Sequence, residues 1–411
     1  MSNAPHALIA GAGIGGLTAA LCLARAGFRV SLLERAKLLE EAGAGLQISP
    51  NASAILRDLG VLPRLSAAAL APEAIHIRRW RDGASLQWLP LEDAENRWGA
   101  PYLLIHRADL QKALIEAVAQ SHAISLSLQT EVTGFATTET GVEVTALHGA
   151  REIAYGADCL IGADGLRSIV RQHFDEMRRT GKSAGGPSRA LPHTAHHVAW
   201  RTLIDAEHVA PEQRRPESTL WLGPKAHLVH YPLRAGSVVN AVAIIEAPIA
   251  IDWRADIWAQ SGAPDEINAH FSKWHADARH LIGAAREWRK WPLVDLDPLP
   301  AWSTGRAALL GDAAHPMLPF LAQGAAQAIE DAAMLGAALS AGRGIEEALA
   351  AYAAARRPRA SRVQAQSRRQ AQIYHLAGPP AFLRDLGLRS MSARQLLARY
   401  DWLYRARSNV K

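Results

Sequence analysis

Four stretches of the 411-residue chain hold residue types at spacings that could do chemistry. The first is GAGIGG at 11–16, a G-x-G-x-x-G, with Glu34 downstream. In such a pattern Gly11 allows a tight turn, Gly13 lets the backbone approach a pyrophosphate, Gly16 lets a helix pack close, and the acid accepts hydrogen bonds from a ribose. The second is GADG at 162–165, an apolar run ending in a Gly/Asp turn. The third, ALLGDAAHP at 308–316, has the same shape: Asp312 follows an apolar run, and Gly324-Ala325-Ala326 then opens a helix almost without side chains. A helix N-terminus has unpaired N–H donors and about half a positive charge, so small residues there would let it press against an anionic group. The same small residues would equally serve close packing of two helices. The fourth is AHLVHYPLR at 226–234. In a strand, His227 and Tyr231 point to one face and could line a pocket as proton acceptor and hydroxyl, or decorate an ordinary sheet. His230 points the other way and reads as solvated or structural.

These groups need elements to hold them. His6–Ala10 reads as a strand, Leu17–Ala26 as a helix stopped by Gly27, and Phe28–Leu33 as a second strand ending at Glu34. Strand, helix and acid in register with the glycines make a dinucleotide-binding βαβ unit, without deciding which dinucleotide. Arg107–Ala119 reads as a helix with Leu110, Ala113, Leu114, Ala117 and Val118 on one face. Short strands are expected at 124–128, 131–136, 142–147 and 151–155, then at His197–Ile204, Ser218–Leu222, His227–Leu233 and Val238–Glu246. Residues 180–192, TGKSAGGPSRALP, read as a mobile loop, and the chain after Gly324 as almost all helix.

The totals exclude several classes. Apolar residues make up 49% and charged residues 20%, as in a folded globular protein. The length exceeds what one core usually serves, so two domains are expected. Cys22 and Cys159 fit a reducing cytoplasm with no disulfide framework. No Cys/His spacing suits a metal, and His196-His197 is an isolated pair, so no metal site is expected. Residues 7–24 are uncharged and contain a GxxxG, but the glycine fingerprint accounts for them better than a membrane span or a signal peptide does. From Ala354 to Lys411 there are thirteen Lys/Arg against Asp385 and Asp401, a charge of +11, which leaves −5 for the rest of a chain of net charge +6. These arginines alternate with alanines and read as a solvated helical face rather than a nucleic-acid surface.

Taken in order, GAGIGG with Glu34-Arg35, GADG, and GDAAHP at 311–316 resemble the single-component FAD-dependent aromatic hydroxylases, in the branch of salicylate, 3-hydroxybenzoate and 6-hydroxynicotinate hydroxylases. GAGLQISPNA at 43–52, IHRADLQKAL at 105–114, VAWRTL at 198–203 and YAAARRPRASRVQAQSR at 352–368 extend the resemblance over nearly the whole chain. It implies an α/β architecture: a Rossmann-like FAD-binding domain (1–70, 100–175 and 295–345), an inserted β-sheet substrate domain (71–99 and 180–294) and a C-terminal helical segment (346–411). It also implies that Gly11, Gly13, Gly16, Glu34 and Arg35 hold the ADP half of FAD, that Arg107 reaches the diphosphate, and that the Val132 backbone meets the adenine. Asp164 would lie near both FAD and incoming NAD(P)H, Asp312 would bind the ribityl or phosphate part, and Gly324 and Ala325 would offer N–H groups to the flavin ring.

The reaction so implied hydroxylates a small phenolic or aromatic acid with NAD(P)H and O2 through a C4a-hydroperoxyflavin. There is no second dinucleotide domain, so the nicotinamide would dock transiently. His227 and Tyr231 match the pair that activates substrate, and Arg201 is a candidate for carboxylate or flavin contact. Two departures bear on substrate: Phe320 stands where relatives often carry a polar side chain, and Gln47 where the hydroxynicotinate branch has histidine. Both put a hydroxynicotinate substrate in doubt. The competing readings are a hydroxylase of a larger aromatic or quinone-type substrate, a flavin-dependent halogenase, whose W-x-W-x-I-P string is missing here, and a flavin-bound non-hydroxylating oxidoreductase or interaction protein, the latter working through its basic tail. A cytoplasmic monomer or homodimer without a membrane span or nucleic-acid partner is expected.

Overall fold

The computed structural model describes residues 4–39, 45–180, 192–248 and 260–405. Gly43 and Ala44, and the expected loop at 180–192 apart from its two end residues, lie outside these. The βαβ unit forms as its spacing predicts: His6–Ala10 and Arg29–Leu33 are parallel neighbours joined by the helix Ile14–Arg25. That helix starts before Leu17 because packing, not propensity, holds its glycines. A methyl on Gly16 would collide with the Gly11 carbonyl oxygen, and one on Gly15 would lie 2.8 Å from a Leu310 methyl. Gly27, left-handed at φ +86°, ends the helix, and Phe28 N–H donates back to the Leu23 carbonyl at 3.0 Å.

One six-stranded sheet gathers the strands that precede all three glycine/aspartate turns. Its order is Ser303–Thr304, Ala307–Leu309, Cys159–Gly162, His6–Ala10, Arg29–Leu33, Ile124–Ser127. Ala10 stands opposite Gly162 and Gly162 opposite Leu309, and every pair but the edge pair Ser303–Thr304 with Ala307–Leu309 is parallel. Parallel strands end on one edge, so Gly11, Ala163-Asp164 and Gly311-Asp312 emerge together, at the carboxyl ends where open α/β sheets bind ligands.

An eight-stranded sheet, antiparallel except where Glu217–Gly223 runs parallel to Ala74–Arg79, holds His193–Asp205, Val238–Glu246 and Ala226–Leu233 at its centre. One of its faces buries Trp200, Trp221 and Trp288 with residues of the helices Pro264–Phe271 and Ala276–Gly283. Alternation along Ala226–Leu233 sends Leu228 into that core and turns His227, Val229 and Tyr231 to the opposite face.

Short segments without a strong period escaped the sequence reading. Gly45–Ile48 becomes a strand because Leu103–His106 pairs with it, and Ala74–Arg79 because Glu217–Gly223 does. The helix at 107–119 has the bounds its periodicity predicts. The long helix Ile345–Tyr374 packs along Gly324–Leu339, and the helices Gly378–Ser390 and Ala393–Ala398 pack against the edge strand Ser85–Pro90.

The basic C-terminal stretch is only in part a solvated face: Arg357, Arg369, Arg389, Arg394, Arg399 and Arg405 are exposed, but other arginines are tied inward. Buried Arg356 donates to Asp331 at 2.6 Å, Arg359 to Glu330 at 2.7 Å, Arg384 to Asp385 at 2.7 Å, and Arg368 pairs with Asp295 at 2.5 Å. Arg362 lies 3.8 Å over the Trp402 ring. Arg356, Arg359 and Arg368 hold the long C-terminal helix to acids 25 to 73 residues earlier, a use that composition does not show, whereas Arg384 pairs with its own neighbour.

Candidate active site

A cavity of about 340 Å³ opens at the edge where the three turns emerge. It runs from the glycine turn at Gly13 to the face of the eight-stranded sheet carrying His227 and Tyr231. Gln47, Arg107, Arg201, Asp312, Gly324 and Ala325 also line it. Most of the predicted residues therefore share one space.

On the glycine side, Gly11 adopts φ +99°, which only glycine takes without strain, and its N–H donates to the Leu33 carbonyl at 2.7 Å. A Cβ on Gly13 would meet no atom within 4 Å, so its missing side chain leaves room in the cavity rather than in the protein interior. The Glu34 carboxylate accepts from Ala12 N–H at 2.8 Å and from Ala36 N–H at 2.9 Å. Each oxygen keeps a further lone pair. Arg35 beside it is exposed and does not line the cavity. Val132 is buried in the main core and also stays off the cavity, although its strand starts beside the acid, with Thr130 N–H donating to the Glu34 carbonyl at 2.8 Å.

Asp164 caps a helix: one oxygen accepts from Ile169 N–H at 2.8 Å and Val170 N–H at 3.2 Å. Its other oxygen is buried with no hydrogen-bond partner among the described residues, and burial raises its pKa despite those donors. Its neighbours Ala163 and Gly165 reach the cavity. Asp312 follows the buried strand Ala307–Leu309, as its sequence suggests. It sits in the 3-10 turn Gly311–Ala313, exposed to the cleft, and its charge opposes the lowering of the Arg107 pKa by burial.

Gly324 and Ala325 begin the helix Gly324–Leu339 at the cavity, while Ala328 and Gly336 further along meet the first helix. Close packing of two helices thus accounts for the later turns of the run, while its first turn borders the cavity. Ala322, left-handed at φ 52°, sharply turns the chain into this helix. Buried Gln323 fixes the turn by donating to Ser49 at 2.8 Å.

On the sheet side, Tyr231 is buried, and a methyl on Gly45 would fall 2.6 Å from its hydroxyl. Arg201 is no surface arginine. Its guanidinium lies 4.3 Å over the Trp291 ring, its Nε has no hydrogen-bond partner among the described residues, and burial, then Arg107, bring its pKa down to about 10. His227 is buried, with its pKa held well below the ordinary value by burial and by His375 and His197. His230 is buried rather than solvated, and burial brings it down to about 4.

A second chamber of about 100 Å³ adjoins the first and shares Gln47, His227, Val229, Pro319 and Ala322 with it. Tyr102, Tyr374, Tyr400 and Tyr404 wall it, and Phe320 makes one side apolar. Tyr102 donates to Gln47 Oε1 at 2.6 Å, and Gln47 Nε2 to Ser218 at 3.3 Å. Sequence reasoning missed these tyrosines and His375. The four-residue step from Tyr400 to Tyr404 was the one local sign of them. His197, Glu246 and His375 bring donor atoms within 4.8 Å of one another, which no spacing along the chain suggests. Among the described residues no helix is long and apolar enough to cross a membrane.

Residues 5–367 match the family model described as an FAD binding domain. The chain is 38% identical over 406 residues to 3-amino-4-hydroxybenzoate 2-monooxygenase PtmB3 of Streptomyces platensis, covering 98% of this chain and 96% of that protein. It belongs to the FAD-dependent aromatic monooxygenases. It is 37% identical over 409 residues to 3-hydroxybenzoate 6-hydroxylase 1 of Aquipseudomonas alcaligenes, covering 97% of this chain and 96% of the relative. HpxO of Klebsiella pneumoniae, solved with FAD and uric acid, shares the fold at TM-score 0.82 and 23% identity, covering 97% and 96% of the two chains.

An FAD-dependent aromatic monooxygenase needs a cleft that receives phosphates and a flavin. The residues present fit that group: Gly13 leaves open space, the Gly324 helix start faces the cavity, and Arg107 and Arg201 make its lining cationic. NAD(P)H is the co-substrate typical of this family.

Proposed function

We propose that the protein hydroxylates a small aromatic acid bearing a ring hydroxyl, with NAD(P)H and O2. The observation that carries this reading is the tyrosine-walled chamber opening onto His227. Its volume is about 100 Å³, of the order of the roughly 150 Å³ apolar cavity that accepts benzene. A single ring fits that scale better than a large quinone. Relatives that act on aminohydroxybenzoate and hydroxybenzoate support the substrate class. The chamber offers hydroxyls and amides rather than cations, so a carboxylate there would be held by tyrosine donors.

When bound and reduced, FAD would activate O2 for transfer of one oxygen atom to the ring. Gly11, Gly13, Gly16, Glu34 and Arg35 are assigned to its ADP half and Arg107 to the diphosphate. The Val132 backbone is assigned to the adenine, Asp312 to the ribityl or phosphate part, and the Gly324 and Ala325 N–H groups to the ring. Asp164 is assigned a place near FAD and the incoming nicotinamide. Arg201, with its unpartnered Nε, is assigned to an anionic edge of flavin or substrate. Tyr231 orients the substrate's ring oxygen, and His227 takes its proton, making the ring more nucleophilic. Gln47, fixed by Tyr102 and Ser218, orients the ring from the far side.

The domain division follows the same reading. The parallel sheet and its helices (1–70, 100–175, 295–345) hold FAD, the large sheet (71–99, 180–294) holds substrate, and Tyr374, Leu397, Tyr400 and Tyr404 of the C-terminal segment (346–411) close the substrate chamber. Two buried free cysteines suit the cytoplasm, where NAD(P)H is supplied. The tail arginines engaged in internal pairs argue against the interaction-protein reading.

A panel of hydroxy- and amino-substituted benzoates tests the proposal. At least one should raise NAD(P)H oxidation and yield a product heavier by one oxygen atom. If no aromatic acid does both, the assignment fails.

A further inference from the structure

We propose that His375 and Glu246 form a relay that carries the substrate's proton from His227 to solvent. The inference rests on the reading that His227 receives the ring-hydroxyl proton. His227 Nδ1 lies 2.8 Å from His375 Nε2, and His375 Nδ1 lies 3.2 Å from Glu246 Oε1. The three residues come from different elements: the strand Ala226–Leu233, the C-terminal cap of the helix Ile345–Tyr374, and the end of the strand Val238–Glu246. His227 and His375 are buried, whereas the Glu246 side chain is 39% exposed. The chain of contacts thus begins in the cavity and ends in water.

Neither imidazole suits a resting proton. His227 is packed against Phe320 and Tyr374 at ring distances of 5.2 and 5.3 Å and is faced by His197. Burial first, then His375 and His197, disfavours its charged form. Burial, His197 and Arg384 bring His375 down to about 3. His197 stands outside the relay, its Nδ1 lying 2.5 Å from the Ala195 carbonyl. A proton accepted by His227 therefore has to leave, and Glu246 is the acceptor in contact with solvent.

The transfer balances without a trapped charge. The phenolic O–H bond breaks as Nε2–H forms on His227. The Nδ1 proton of His227 passes to His375 Nε2, and the Nδ1 proton of His375 passes to Glu246, which yields it to water. Both imidazoles change tautomer, and the reverse shift resets them when the product's ring oxygen is reprotonated. His375 and Glu246 act through His227 and are positioning residues in this scheme.

The test uses the FAD-loaded enzyme and 4-hydroxy-3-nitrobenzoate, whose phenolate is coloured, mixed without NAD(P)H in a stopped-flow instrument. In the parent protein the bound phenol should ionise rapidly. His375→Gln and the surface variant Glu246→Gln should bind the probe with unchanged Kd yet form phenolate at least tenfold more slowly. Their rates should rise with buffer-base concentration while the parent's does not, and free imidazole should restore His375→Ala. Phenolate formation in Glu246→Gln and His375→Gln as fast as in the parent overturns the relay while leaving the substrate reading in place. A parent protein that binds the probe without ionising it overturns the role of His227, and the relay with it.

Discussion

His315 Nε2 and Asp331 Oδ2 stand 2.5 Å apart, both sealed from solvent. The same carboxylate accepts from Gly311 N–H at 3.0 Å and, through its other oxygen, from Arg356 at 2.6 Å. One buried acid thus ties together the turn that presents Asp312, the helix that begins at Gly324 and the long C-terminal helix. Removing one partner of a buried ionic cluster leaves an uncompensated charge and costs about 3–5 kcal/mol. Asp331→Asn should lower stability to urea by about that amount. Burial alone would raise the Asp331 pKa, but His315 and then Arg356 outweigh it and bring it down to about 2. A depressed carboxylate contributes stability above its unfolded pKa of about 4 that is lost as pH falls through the folded value. Urea midpoints of the parent should therefore drop between about pH 4 and pH 2, and this share of the drop should be missing in Asp331→Asn.

The glycines separate folding from cofactor binding. Gly16→Ala places a methyl against the Gly11 carbonyl and should lower the melting temperature. Gly13→Ala meets no protein atom within 4 Å, so the fold should hold while FAD affinity falls at least tenfold. Thermal unfolding of the apoprotein and flavin-fluorescence titration read the two effects separately. An unchanged FAD affinity in Gly13→Ala would remove the pyrophosphate from that turn.

Asp312 is exposed to the cleft and interacts with Arg107, so its loss should spare the fold. Losing one hydrogen bond to the cofactor should weaken FAD by about tenfold, or about 1.4 kcal/mol. Equal FAD dissociation constants in parent and Asp312→Ala would assign the carboxylate to holding Arg107 alone.

Tyr231→Phe keeps the ring that packs beside Gly45 and Asn240 and removes only the hydroxyl. Flavin reduction should survive, hydroxylation should fall by roughly 10²-fold, and hydrogen peroxide should replace product. The ratio of hydroxylated product to NAD(P)H consumed decides it. A ratio equal to the parent's would make Tyr231 ordinary sheet decoration.

The sequence by itself determined the βαβ unit, the helix at 107–119 and the central strands of the large sheet, because their signals are local. A glycine that needs φ +99°, a helix stop at Gly27 and a two-residue alternation are written within a few positions of where they act. The same locality put His227 and Tyr231 on one face and left His230 on the other. Tertiary structure decided what faces them. Asp164 proved to cap the helix just after it, a local contact, whereas the place of Asp312 in the cleft beside Arg107 and the pairing of Arg356 with Asp331 depend on partners distant along the chain. The tyrosine chamber and the contact of His227 with His375 have the same origin. Burial and hydrogen bonding between remote segments fix them, and beyond the step from Tyr400 to Tyr404 they leave no period or spacing in the sequence.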